Sequence, residues 1–265
     1  MLGKLIKHEW KAVGKVLIIM HVALILMAII GKVMLSIDVL RKAELMWSSL
    51  LCLYVLSVIA VGVGTHIYLA MRFYKNMYTD EGYLSFTLPV KTWEHIFSKT
   101  LISLIWILVD AVVISVSIII LVMYKGMGTD FLQVWNELVA VLTGNGMVVT
   151  WRAIQMVITV ILSLVSIPLT YYFSISIGQL FNSHKMLAAV VVYFITVNAL
   201  QVISTVSSAA YLMVIRDKVI ETETFRETFS MFGGMLNIGM MEQIIVAVGF
   251  WLITNFIMNK KLNLE

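Results

Sequence analysis

What most constrains this chain is a recurring length. Apolar runs of about twenty residues appear six times, separated by short polar segments, and about 20 apolar residues is what an α-helix needs to cross the hydrocarbon of a bilayer. Over 265 residues the chain is 61% hydrophobic and only 13% charged, against about 25% charged in soluble domains. A single soluble core of this size could not hide that much apolar surface. The expected fold class is therefore an all-α polytopic membrane protein, a single transmembrane domain over 1–265. Its spans fall at about 16–37, 45–71, 100–124, 153–180, 186–206 and 240–258.

Residues 1–15 place Lys4, Lys7, Lys11 and Lys15 at helical spacing, with Leu2, Leu5, Ile6 and Trp10 between them. That pattern predicts an amphipathic N-terminal interfacial helix meeting anionic lipid headgroups. The apolar run after it is too long for a signal peptide's core and has no small-residue cleavage site, so it reads as a retained first span. Short polar turns at Asp38–Glu44 and Asn182–Lys185 join spans one to two and four to five. Between spans three and four, residues 125–152 leave the membrane. Within them Phe131, Val134, Trp135, Leu138, Val139 and Leu142 fall on one helical face. Thr129 or Asp130 can cap that helix and Gly144–Asn145–Gly146 can stop it. Residues 216–239 form a second polar outer segment, and the basic tail Asn259–Glu265 closes the chain.

Six spans put both termini on one side. With the termini inside, the inner segments hold Lys4, Lys7, Lys11, Lys15, Arg72, Lys75, Lys91, Lys99, Lys185, Lys260 and Lys261, eleven of the 19 Lys and Arg residues. The excess of basic residues on that side predicts cytoplasmic termini and a cytoplasmic 72–99 loop. Its net charge of +4 is accounted for by these span-flanking residues, so no nucleic-acid partner is expected.

Several chemistries are excluded by the motifs that are missing. No GxxxxGK[ST] phosphate loop occurs. His8–Glu9 lacks a second histidine four positions on, and the five histidines are not at metal-ligand spacings. Cys52 is the only cysteine, so no internal disulfide forms. The 18 methionines are scattered and read as adaptable packing residues. Gly62 and Gly64 lack the third glycine and preceding strand of a dinucleotide site. No catalytic function and no cofactor or metal is expected in this chain.

Polar residues inside the spans are more informative. Asp110 sits near the middle of the third span with Ser117 two turns later on the same face; an intramembrane carboxylate must face protein or water. It reads as the structural partner of a nearby His or Lys rather than as a proton carrier, and it is a candidate for the substrate path. Ser163, Ser166, Thr170 and Ser174 form a hydroxyl stripe in the fourth span, and Asn198, Gln201, Thr205 and Ser208 a polar stripe in the fifth. Each stripe has two readings, glue between helices or the lining of a translocation path.

The longest polar interruption in the first half runs from Arg72 to Lys99, RFYKNMYTDEGYLSFTLPVKTWEHIFSK. Asp80–Glu81–Gly82 reads as a charged, flexible turn, and Tyr83, Leu84, Phe86 and Leu88 as apolar anchors. Pro89 breaks the chain and Lys91 follows it. Thr92 can cap a helix, Trp93–Lys99, that runs into the third span, with Trp93, Ile96 and Phe97 on one face and Lys91, Glu94 and His95 more polar. An exposed mixture of charges and aromatics favours a docking surface.

This loop, DEGYLSFTLPVKTWEHIFSK, resembles that of permease subunits of ABC-2 type exporters, which commonly read D-E-G-Y-L-x-x-T-L-P-V before a helix. The end of the fourth span, YYFSISIGQLFNSHK, is similar to the same family at the corresponding place. The resemblance implies two permeases, as a homodimer or heterodimer, paired with soluble ATPase subunits that bind ATP and Mg. It implies a coupling helix within Asp80–Lys99, with Asp80, Glu81, Gly82, Tyr83, Pro89, Lys91, Trp93 and Glu94 as contacts. It also implies that the second and fifth spans line the dimer interface, which puts Asn198 and Gln201 on the path; Thr205 and Asp110 are the further candidates for it. An exporter in a bacterial cytoplasmic membrane, moving an amphipathic peptide, antibiotic or lipid-like substrate, is the expectation. An ATP-independent membrane sensor or immunity protein that binds a peptide is the other.

Overall fold

The computed structural model describes residues 2–37, 44–123, 127–144, 147–221 and 225–260. Among these residues it contains eight helices and no strand: α1 (Leu2–Ser36), α2 (Glu44–Tyr78), α3 (Asp80–Thr87), α4 (Thr92–Val122), α5 (Met127–Gly144), α6 (Met147–Gly178), α7 (Lys185–Glu221) and α8 (Phe225–Lys260). Six of them are long and apolar enough to cross a membrane. The chain is an all-α polytopic membrane protein.

The helices extend past the apolar runs that announce them. Residues 2–15 and the first span as far as Ser36 are one unbroken helix, α1, whose 35 residues make about 52 Å at 1.5 Å per residue. That exceeds the hydrocarbon thickness of about 30 Å. Likewise α7 continues through residues 207–215 to Glu221, and α8 starts at Phe225 rather than near Met240. The outer segment 216–239 is therefore mostly helix, continuous with the fifth and sixth spans, and its residues 222–224 lie outside the described residues. Helix α5 begins at Met127, so Thr129 and Asp130 occupy its first turn instead of capping it. Of the expected stop, Gly144 is the last helical residue and Asn145–Gly146 lie outside the described residues. So do residues 38–43 of the first polar turn, 124–126 at the end of the third span and 261–265 of the basic tail.

The chain packs as two compact units, residues 1–127 and 128–263. In the first, α1 lies mainly against α4 and secondarily against α2. Its buried residues Glu9, Val13, Leu17, His21, Leu24, Ala28 and Gly31, with Gly14 beside Val13, recur every three or four positions and so form a single stripe. Leu24 and Ala28 close a core with Tyr54 and Val61 of α2 and Leu121 of α4. Tyr54 Oη and Ser117 Oγ lie 2.9 Å apart beside it. Lipid tails are as apolar as leucine, so side-chain fit and polar bonds hold these helices rather than the hydrophobic effect.

The second unit repeats that layout, with α6 mainly against α8 and secondarily against α7. The Gln155 side-chain amide starts the α6–α8 seam: its Nε2 donates to Asn237 Oδ1 at 2.8 Å. Ser166 Oγ donates to Gln243 O at 3.3 Å further along, and Phe173 stacks on Phe250 with centroids 4.2 Å apart. Pro168 sits inside α6 without ending it. Where α6 meets α7 the backbones nearly touch: a Cβ on Gly178 would stand 2.7 Å from Ala189 Cα. The turn between them carries His184 at φ 52°, the left-handed conformation that a tight reversal imposes.

Candidate functional site

The Arg72–Lys99 stretch is ordered from end to end. Helix α2 runs through Arg72 to Tyr78, and Thr79 in extended conformation precedes α3. Asp80 and Glu81 occupy the first turn of α3, where negative charge complements the positive end of the helix dipole. Asp80–Glu81–Gly82 is thus the start of a helix and not a flexible turn, and Gly82 N–H donates to Thr79 O at 2.7 Å. The helix ends because Pro89 restricts the residue before it to extended backbone, and Leu88 has φ −68°, ψ 142°.

Thr92 is the first residue of α4 and not its cap. Lys91 holds the cap position, its N–H donating to Glu94 Oε2 at 2.9 Å.

This segment has an inner and an outer side. Gly82, His95 and Ile96 are buried, and Phe86 packs on His95 with ring centroids 6.1 Å apart. Outward stand Tyr83, Leu84, Leu88, Trp93 and Phe97, with Leu84 73% exposed. Ile96 therefore does not share a face with Trp93 and Phe97; it belongs to the core. Asp80, Glu81, Pro89 and Lys91 are exposed and Glu94 half-buried around the apolar group. Of the expected contact residues only Gly82 is turned inward.

Beneath this surface lies a charged network. Glu9 of α1 accepts from Arg72 Nε at 2.8 Å through Oε2 and from Lys99 Nζ through Oε1. Lys99 Nζ also donates to Asn76 Oδ1 at 2.8 Å, and Asn76 Nδ2 donates to Glu81. Two cations and two carboxylates therefore join α1, α2, α3 and α4 through one amide. Glu9 and Lys99 are both buried, at 8% and 4% exposed, so their partners compensate the loss of water. Sequence reasoning missed Glu9. The signal was there: it is the only acid before Asp38, and it sits on the register of Val13, Leu17 and Leu24.

Asp110 is buried with Ser117, and its Oδ1 lies 2.5 Å from His21 Nε2. Trp106 stacks on that imidazole at 5.9 Å and on Trp10 at 4.9 Å. The carboxylate thus has a histidine partner inside the first unit. Asn198, Gln201 and Thr205 belong to the second unit and are exposed along α7. Asn198 Nδ2 donates to Phe194 O at 2.7 Å and Thr205 Oγ1 to Gln201 O at 2.8 Å, both within their own helix. In the α6 stripe Ser166, Thr170 and Ser174 are buried. All four of its hydroxyls bond to carbonyls of α6, and Ser166 also reaches α8. The apolar face of α5 from Phe131 to Val139 is exposed.

Among the described residues no three His, Cys, Asp or Glu side chains gather where a metal would be held. Comparison with models of protein families, with curated proteins and with solved structures finds no match.

Proposed function

We propose that this chain is the membrane-spanning permease subunit of an ATP-driven exporter of the ABC-2 type. It would sit in a bacterial cytoplasmic membrane with both termini cytoplasmic, paired with a second permease and with soluble ATPases. The observation that carries the reading is the outer side of α3 and the start of α4. There Tyr83, Leu84, Leu88 and Trp93 are exposed together on backbone that is already ordered. Large apolar and aromatic side chains on a pre-formed surface are what a protein partner uses as anchors.

The network beneath it gives the docking segment a mechanical connection. A partner that pushes on α3 acts on Glu81, and through Asn76 and Lys99 on Glu9 of α1. ATP-driven movement of the partner would reach three long helices through these bonds rather than be lost in a slack loop. Asn198, Gln201 and Thr205 support the second permease. They expose amide and hydroxyl groups on a span-length helix, where lipid tails offer no hydrogen bonds.

The test compares recovery of an ATPase with the tagged chain and with its Leu84→Asp/Trp93→Ala variant, from membranes expressing each equally. Both side chains point outward, so the variant should fold and insert normally. Loss of the ATPase is the expected result, and undiminished recovery contradicts the docking role.

A further inference from the structure

Near the midpoints of α6, α7 and α8 lies a partly open cavity of about 350 Å³. Its polar lining comes from Ser163, Ser166 and Thr170 on α6, Ser204 on α7, and Glu242 and Gln243 on α8; the remaining wall is aliphatic and includes Ile203. Glu242, at the start of the sixth apolar run, places a carboxylate on a helix long and apolar enough to cross a membrane, where an ionisable group marks a candidate functional site.

The hydrogen bonds determine what this lining can offer. Ser163 Oγ donates to Val160 O at 2.7 Å, Ser166 Oγ to Leu162 O at 3.0 Å, and Thr170 Oγ1 to Ser166 O at 2.8 Å. A hydroxyl has one donor and two acceptor lone pairs. With the donors engaged by α6 itself, these oxygens present acceptor capacity. Glu242 accepts from Ser207 Oγ at 2.5 Å, which leaves its other oxygen to accept as well. The ion pairs of Glu9 and Asp110 lie elsewhere, and among the described residues none is made by Glu242. The cavity therefore combines a carboxylate that has no cation partner among the described residues, several hydroxyl acceptors and an aliphatic wall.

We infer that this cavity binds a lipophilic ammonium ion, a protonated amine carried on an apolar body. The Glu242 carboxylate pairs with the charge, the α6 hydroxyls accept the remaining N–H donors, and Ile203 and its aliphatic neighbours take the body. Its volume suits a small organic molecule, at the lower end of ligand pockets. That such amines are the exported substrates rests on the permease reading; the binding site rests on the cavity alone.

The experiment uses the full chain in phosphatidylcholine nanodiscs without any ATPase. Dansylcadaverine, a fluorescent primary amine cationic at neutral pH, is titrated beside its N-acetylated, uncharged derivative. Saturable binding of the amine is expected, with the acetylated compound weaker by roughly ten-fold or more, the size of one charge-assisted hydrogen bond. Glu242→Gln should weaken the amine to the level of the acetylated compound, and Glu242→Asp should retain the preference. Equal binding of the two compounds, or an unchanged amine affinity in Glu242→Gln, overturns the inference. Should Glu242→Gln fail to insert, Ile203→Trp fills the cavity with the carboxylate intact and must abolish saturable binding; undiminished binding there also overturns it. Failure of the permease reading shows instead in ATPase recovery, which this titration does not involve.

Discussion

Glu9→Gln removes the negative charge that two cations share. The Lys99 side chain is 4% exposed and that of Arg72 23%, so Lys99 bears most of the consequence. Breaking a buried pair by deleting one partner costs about 3–5 kcal/mol, because the remaining charge is buried without compensation. The more accessible Arg72 adds only about 0–1 kcal/mol. Lys99→Met is milder, about 1–3 kcal/mol, since Glu9 keeps Arg72 and the desolvation of Lys99 disappears with it. The double variant Glu9→Gln/Lys99→Met leaves no stranded buried charge and should recover about 2 kcal/mol relative to Glu9→Gln. Reversible unfolding in mixed micelles reads these differences through tryptophan fluorescence, since the stacked Trp10 and Trp106 lie beside and near the network. Additivity of the two single effects within about 0.5 kcal/mol would refute the reasoning.

Three further outcomes follow from the packing. His21→Ala strands the Asp110 carboxylate and should destabilise the chain by about 3–5 kcal/mol, whereas His21→Leu/Asp110→Leu removes both polar groups and should regain most of that loss; thermal unfolding in detergent distinguishes them. Gly178→Ala gains about 1 kcal/mol of helix propensity but drives a Cβ into the Ala189 backbone, so a net loss of about 1–3 kcal/mol is expected; a raised unfolding temperature contradicts the close approach of α6 and α7. Gln201→Leu should leave insertion and ATPase recovery unchanged while altering substrate-stimulated ATP hydrolysis, and unaltered hydrolysis returns Asn198 and Gln201 to a packing role.

The six spans were legible because apolar length is a direct consequence of bilayer thickness. Their ends were not. Hydropathy falls where charges begin, around Lys15, Arg216 and Met240, but the backbone hydrogen-bond ladder has no reason to stop there, and α1, α7 and α8 all continue. The start of α3, Asp80–Glu81–Gly82, reads as a turn from its residue types; dipole-favoured acids there and Pro89 beyond the helix end outweigh one glycine. The partner of Asp110 was legible as a class, a histidine or lysine, while its identity as His21 required the parallel packing of α1 on α4. Glu9 and Glu242 went unnoticed for opposite reasons. Glu9 was hidden among lysines, and its meaning lies in the stripe it shares with Val13 and Leu17. Glu242 was absorbed into an apolar window, and only Ser207 of α7 and the neighbouring α6 hydroxyls give it a setting.

The central claim is that the surface formed by α3 and the start of α4 receives a soluble ATPase. Purification of the tagged chain from its native membrane in mild detergent, followed by mass spectrometry and an ATP-hydrolysis assay, tests it most directly. The account predicts a stoichiometric ATPase carrying a phosphate-binding loop and hydrolysis that purifies with the complex. A chain that emerges alone and without hydrolysis, reproducibly and under gentle conditions, contradicts it.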